Sequence, residues 1–305
     1  MIKIHMSFFK RILCYCKEQL EPGSRLLLSI LIGLFVFLLI YLEHDFISFE
    51  WHFLVPSLGT FSLLIYYRIS DEFKDIKTDQ RFFPDRPIPS GRLFLNDLRM
   101  MLLTTAVFGF ALNVIYSSAF KEFLAAFIFT ILMGKWFFME KIISKNRLLA
   151  FATHGPVGIF LYWYLEAYLL NMYALSWSLE QKLSLVAFII LPGFSWEVLR
   201  KSYLPQDEIE GYQIYSTMLG FRGALSFASF WVILTIINNY ILIKSFSSLR
   251  GMEIPLLIVN VLLLVAIFIQ GMKPWIKNLK PISEFYMGFH LLLPLGFLIF
   301  KVWNK

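Results

Sequence analysis

Residues 51–79 read WHFLVPSLGTFSLLIYYRISDEFKDIKTD. An apolar run passes into Arg68–Asp79 with no glycine or proline to stop a helix in that last stretch. The first part is long enough to cross ~30 Å of hydrocarbon at ~1.5 Å per residue. The second part is as charged as a water-facing surface. One helix that crosses a membrane and continues past its face accommodates both.

The rest of the chain agrees. Of 305 residues, 58% are hydrophobic and 16% charged, with 33 Phe. A soluble domain is nearer half apolar and a quarter charged. Spans are expected at 25–43, 51–69, 93–116, 119–138, 148–170, 181–199, 219–243, 254–272 and 282–303, the second and fourth being the weakest. With nine spans, one set of loops holds Lys3, Lys10, Arg11, Lys17, Arg25, Arg68, Lys74, Lys77, Arg81, Arg86, Arg92, Lys141, Lys145, Arg147, Arg200, Lys201, Arg222, Lys273, Lys277 and Lys280. The other set holds only Lys121, Lys182, Lys244, Arg250, Lys301 and Lys305. By the positive-inside rule the N-terminus is cytoplasmic. The net charge of +7 therefore marks topology and is not read as a nucleic-acid signal. Residues 5–20 are expected to form an amphipathic interfacial helix stopped by Pro22 and Gly23, within an N-terminal segment 1–24 ahead of a single transmembrane domain 25–305. Cys14 and Cys16 suggest neither a disulfide framework nor a zinc site.

At about 100° per residue, Asp71, Glu72, Asp75 and Asp79 fall within one arc with Arg68, while Lys74 and Lys77 fall outside it. Like charges at that spacing destabilise a helix by ~0.2–0.5 kcal/mol per pair. Arg68 could offset one of them, and a hard divalent cation could offset several, since Mg²⁺ bridges carboxylates to phosphates. The plain alternative is a solvated helix end of mixed charge. The next stretch, Arg81–Arg92, carries three prolines and a glycine among Arg81, Arg86 and Arg92. Proline stiffens such a loop, and a stiff loop can hold guanidinium groups against phosphate oxygens.

The segment resembles the first signature of the UbiA superfamily of intramembrane prenyltransferases: Asp71-Glu72, Asp75, Asp79, then Arg86-Pro87 and Gly91. Its spacing matches at every position, with Asp71 for the family's Asn and Glu72 for its next Asp. The resemblance implies an all-α polytopic membrane protein, nine transmembrane helices around a central lipid-accessible cavity. It implies Mg²⁺ held by acidic side chains, an isoprenyl diphosphate as donor and a lipophilic, commonly aromatic, acceptor. Asp71, Glu72, Asp75, Asp79 and Glu197 are then the metal candidates. Asp75, Asp79, Lys141, Arg200 and Lys201 are the catalytic candidates. Arg68, Arg81, Arg86, Lys135, Asp207, Glu208 and Tyr215 are the substrate-binding candidates. The membrane is expected to be a bacterial plasma membrane, with the carboxylates on its cytoplasmic side.

The family's second acidic motif has no clean counterpart. In Trp196–Gly220 the tail Tyr215-Ser216-Thr217 to Leu219-Gly220 fits, but Pro205 and Ile209 stand where a pair of aspartates is expected. Either Glu197, Asp207 and Glu208 coordinate instead, or Arg200 and Lys201 act as positive partners of the diphosphate in place of a metal. A third possibility is that Glu197 and Lys201 merely pair along a helix. After the fourth span the family's Lys-Arg pair is reduced to Lys141, with Lys135 nearby. His154 is expected to be a satisfied histidine at a loosened helix, and Asn113, Asn238, Asn239, Asn260 and His290 interhelical hydrogen-bonding residues. A non-catalytic relative that binds isoprenoid diphosphate is one alternative reading. A cation transporter is another, although transporter sites usually sit at the midplane of broken helices.

Overall fold

The computed structural model describes residues 7–305. Lys3 and residues 5 and 6 of the predicted N-terminal helix lie outside that range. Among the described residues every regular element is helical. In order they are α1 (Phe8–Tyr15), α2 (Pro22–Glu43), α3 (Leu54–Phe82), α4 (Leu95–Ile115), α5 (Phe120–Gly134), α6 (Glu140–Ile143) and α7 (Arg147–His154). There follow α8 (Val157–Met172), α9 (Leu179–Arg200), α10 (Tyr215–Leu219), α11 (Phe221–Ser245), α12 (Glu253–Met272) and α13 (Lys280–Trp303).

Among the described residues eight helical stretches are long and apolar enough to cross a membrane, with α7 and α8 together forming one of them. The predicted fourth span is shorter than expected. Its α5 has 15 residues, about 22 Å at ~1.5 Å per residue. Trp136, Phe137 and Phe138 then take φ of 52°, 50° and 60°, which ends the helix. The predicted fifth span is interrupted at Gly155-Pro156, where proline cannot donate to the helical ladder.

The N-terminal expectation is also corrected. A helix covers Phe8–Tyr15, and Cys16–Leu20 continues as one wide π turn. Glu21 reverses the chain at φ 45°. Pro22 does not simply stop the first helix; it opens α2 from its first turn, where its missing N–H costs nothing. Tyr15 and Leu20 are buried against Ile65, Ile69, Leu93 and Leu98. Arg11 clamps the start of α4, its Nε and Nη2 lying 2.7 and 2.8 Å from the Asp97 carboxylate.

Within the bundle, α2, α3, α8, α9 and α13 share one apolar core. A second, smaller core joins α9, α11, α12 and α13. Helices approach closely through glycines: a Cβ at Gly59 would collide with the Tyr164 hydroxyl, and one at Gly109 with Ser62. Three of the predicted asparagines bond between helices or to their partners, as in Tyr164 to Asn113, Asn238 to Ser184 and Tyr286 to Asn260. Among the described residues the buried Asn239 side chain finds no hydrogen-bond partner, and the buried His290 faces the Phe188 backbone. Outward faces are apolar, for example Leu257, Leu262 and Phe268 on α12.

The helices alternate direction, so the long apolar core separates two polar ends. At one, Glu43 accepts from Ser247 and Ser248, and Lys301 donates to the Ser248 carbonyl. At the other lie the ends of α3 and α9 and the start of α7. Helix α3 has 29 residues, about 43 Å at ~1.5 Å per residue, so its last turns outrun ~30 Å of hydrocarbon.

Candidate functional site

The C-terminal turns of α3 carry all four carboxylates, as the sequence predicts, and the helix runs on to Phe82, into the stretch expected as loop. They divide into two pairs. Glu72 and Asp79 are buried toward the Arg81–Arg92 loop and the N-terminal turn. Arg68 Nη2 lies 2.6 Å from Glu72, and Arg86 Nη1 lies 2.7 Å from Asp79. With its amide oriented to donate, Gln19 comes within 3.0 Å of Glu72 as well. Asp71 and Asp75 take the other edge of the arc. Lys74 Nζ reaches back to within 2.5 Å of Asp71, so this lysine serves the acidic face after all. Asp75 makes no ion pair among the described residues.

The loop after α3 is fixed by its own backbone. Ser90 N–H donates to Arg86, Gly91 N–H to Ile88 and Leu93 N–H to Pro87. Gly91 sits at φ 74°, which explains the residue type in that turn. The guanidinium of Arg86 lies 4.1 Å from the Phe83 ring centre, so it is held from two sides. A cavity of about 500 Å³ opens between this loop and the N-terminal turn, lined by Glu18, Gln19, Arg68, Phe82, Phe83, Pro84, Asp85, Arg86 and Pro87. That cavity is peripheral, beside the carboxylates.

The second charged helix end faces the first. Glu197, in the last turn of α9, holds Lys201 Nζ at 2.6 Å and Arg200 Nε at 2.7 Å. Arg147, the first residue of α7, brings Nη2 to 3.9 Å of the same carboxylate. Its position follows from Asn146, whose side chain caps α7 by accepting from the backbone N–H of Leu148 and Leu149. Arg147 also lies over the Tyr215 ring at 6.0 Å, and Arg200 over Trp196 at 4.5 Å. Burial pushes the Lys201 ammonium down to about 7; Glu197 opposes that fall, and Arg200 and Arg147 add to it.

Tyr67, on α3, interacts electrostatically with Asp71 on its own helix and with Glu197 and Arg200 on α9. Asp75 likewise feels Lys201 and Arg147. The loop 204–214 folds back to close the arrangement. Tyr212 packs on Phe82 and Phe83 at 5.3 and 5.2 Å. Gly211, at φ 75°, lies under the guanidinium of Arg81, whose own position is exposed. The Ser-Thr pair anchors the return: Ser216 accepts from Tyr203 N–H, and Thr217 accepts from Ile214 N–H. Beneath Tyr215 lies a bed of rings, Phe151, Phe194, Phe227 and Trp231, with centres 4.8–5.8 Å apart.

Several candidates are not gathered in. Lys135 and Lys141 are exposed, with no ion pair to these groups; Lys141 lines a separate hollow with Phe138 and Ile142. Asp207 points to Lys277 at 3.9 Å, and Glu208 stays in the loop beside it. His154 touches Trp136 and Phe137, and its Nδ1 meets Thr153 at 2.9 Å while Nε2 is buried without a partner. The sequence reading missed Arg147, Tyr67, Gln19 and Tyr212 as site groups. An asparagine cap just before an arginine is the one signal that marked Arg147 in advance.

Whether the acids could hold Mg²⁺ is a matter of their donors. Among the described residues no three His, Cys, Asp or Glu side chains gather as a metal cluster. Asp71 and Asp75 nevertheless suit a single hard cation. Asp71 Oδ1 is buried with Lys74 Nζ as its ion-pair partner and Tyr67 beside it, so a cation bound there would take the place of that lysine, while Asp75 makes no ion pair among the described residues. Two carboxylates completed by substrate phosphates is a usual Mg²⁺ arrangement.

The helical bundle shares its fold with a solved membrane protein. A solved structure of a digeranylgeranylglyceryl phosphate synthase in membranes matches 96% of this chain and 99% of its own, with a TM-score of 0.61 at 19% identity. At that identity the likeness is one of fold. No family model and no curated protein matches by sequence.

Proposed function

We propose that this chain is an intramembrane prenyltransferase that moves a prenyl group from an isoprenyl diphosphate to a lipophilic acceptor. The observation that carries the reading is the convergence of an acidic end, Asp71 and Asp75, with a basic end, Arg147, Arg200 and Lys201, above a bed of aromatic rings.

Each part has a task in that chemistry. Asp71 and Asp75 would hold Mg²⁺, which when bound neutralises charge growing on the leaving diphosphate. Arg147 and Arg200 present planar forks to phosphate oxygens, and Lys201 a point charge. The allylic C–O bond breaks with its electron pair leaving on the diphosphate. The prenyl carbon then bonds to the acceptor, which gives up a proton. Phe151, Phe194 and Trp231 offer ring faces to the positive charge on the prenyl group and an apolar bed for its tail. Arg68 and Arg86 hold Glu72 and Asp79, which fixes the end of α3 in place. On this reading residues 25–305 form the catalytic unit and 1–24 an N-terminal segment, of which the described residues Arg11, Tyr15 and Leu20 pack against that unit. The basic residues gathered at this end support placing it in the cytoplasm, with a bacterial plasma membrane as the host.

The test is purified protein in lipid nanodiscs with Mg²⁺, geranylgeranyl diphosphate and a membrane-lipid extract as acceptor, read by pyrophosphate release and mass spectrometry of the lipids. The neighbour's product makes that donor the first to try. Wild type releases pyrophosphate and forms a prenylated lipid. Asp71→Asn combined with Asp75→Asn lowers the rate about a thousandfold, the scale of lost electrostatic stabilisation, with an unchanged melting midpoint. Equal rates in both proteins, or no consumption of any isoprenyl diphosphate, overturn the reading.

A further inference from the structure

The end of α9 is not built to receive a metal ion. Its one carboxylate, Glu197, has both oxygens taken: Oε1 by Lys201 and Arg147, Oε2 by Arg200. Three cations on one carboxylate leave an excess of positive charge that repels a divalent cation at these distances. Among the described residues no other acid ion-pairs with these three bases, and Asp75 reaches Lys201 and Arg147 only through longer-range attraction. Asp207 is drawn off to Lys277, and Pro205 and Ile209 contribute no side-chain oxygen.

The same arrangement suits an anion with several oxygens. The two guanidinium groups come from different elements, α7 and α9, and approach Glu197 from different sides. Each rests on an aromatic ring, Tyr215 or Trp196, so each is held in place before any ligand arrives. Lys201 completes the set, and its backbone carbonyl accepts from Tyr215 N–H, which ties it to the ring under Arg147. Across Tyr67 stand Asp71 and Asp75, the pair that suits one hard cation.

We propose that this chain binds diphosphate with a single metal ion. Arg147, Arg200 and Lys201 form a fixed cation triad in place of a second metal. Glu197 is the internal anion that holds the triad together and yields it to the incoming diphosphate. The inference deepens the prenyltransferase reading, but its test needs only inorganic pyrophosphate.

The experiment is calorimetric titration of inorganic pyrophosphate into the full-length protein in neutral-lipid nanodiscs, once in EDTA and once in Mg²⁺. Wild type binds pyrophosphate in EDTA, and binds inorganic phosphate, the stand-in for a lipid headgroup, at least about tenfold more weakly. Glu197→Gln removes the competing anion and tightens pyrophosphate binding about tenfold, the worth of one hydrogen bond to a charged group. Arg147→Gln and Arg200→Gln each loosen it by about tenfold or more. Arg147→Lys, which keeps the charge and loses the fork, falls between.

A wild type that binds pyrophosphate only with Mg²⁺ overturns the proposal. So does a Glu197→Gln protein that binds more weakly in Mg²⁺, as a lost metal ligand would, or equal affinity for phosphate and pyrophosphate. The wild-type EDTA titration decides the matter even where a variant fails to fold. Pyrophosphate bound in EDTA with no prenyl transfer defeats the enzyme reading and leaves the triad standing. Prenyl transfer with strictly metal-dependent binding does the reverse.

Discussion

The ends of α3 and α9 meet across Tyr67 with opposite charge balances. On α3, Asp71, Glu72 and Asp79 each have a base of their own, and Asp75 has none among the described residues. On α9, one carboxylate carries three bases. Each half is electrostatically incomplete. Carboxylates alone repel the diphosphate until a cation bridges them, while a cluster of cations attracts it directly. The difference shows that a site of this kind can be assembled from unlike halves, one needing metal and one not.

The largest effect should come from the bare acid. Asp75→Asn is expected to raise the Mg²⁺ concentration for half-maximal turnover at least about tenfold, whereas Arg200→Gln leaves that concentration unchanged and raises KM for the diphosphate. Matching Mg²⁺ responses in the two variants would erase the distinction. Next comes stability. Arg86→Ala strands the buried Asp79 carboxylate and should cost about 2 kcal/mol in unfolding measurements. Arg81→Ala, on an exposed side chain in the same loop, should cost far less; equal losses would show that Asp79 does not depend on Arg86.

A pH profile sharpens the basic half. With its pKa pulled down to about 7, Lys201 is charged below neutrality and neutral above it. Pyrophosphate affinity should therefore fall as pH rises through about 7 in wild type relative to Lys201→Arg, which keeps its charge throughout. Glu197 and Arg200 on α9, Arg147 on α7 and Asp75 on α3 face this ammonium and stay the same in both proteins. Parallel profiles would remove Lys201 from the triad. The smallest effect belongs to the turn. Gly91→Ala, at φ 74° with open space around it, should lose about 1 kcal/mol. Gly23→Ala, also unobstructed and in an ordinary conformation, should lose nothing.

Much of the first half of the site was legible in the sequence because it is local. A helix of fixed pitch puts Asp71, Glu72, Asp75 and Asp79 in one arc wherever it is packed, and the Arg86-Pro87 to Gly91 turn is set by its own residues. The second half was not. Arg147 and Glu197 are fifty residues apart, and in the sequence Arg147 is one basic loop residue among many. Lys135 and Lys141 looked as suitable, yet they stay in the solvent because α5 ends early. The split of the α3 acids into two pairs also escaped the helical arc, since it depends on what stands opposite each edge.

By itself the sequence determined an all-helical membrane bundle, most of its apolar spans and the acidic end of α3, because hydrophobicity and helical periodicity act on neighbours along the chain. Only the tertiary structure decided which bases reach which acids. That choice rests on charge pairing over a few ångströms between segments far apart in the chain, and only the packing of α3, α7 and α9 brings those segments together.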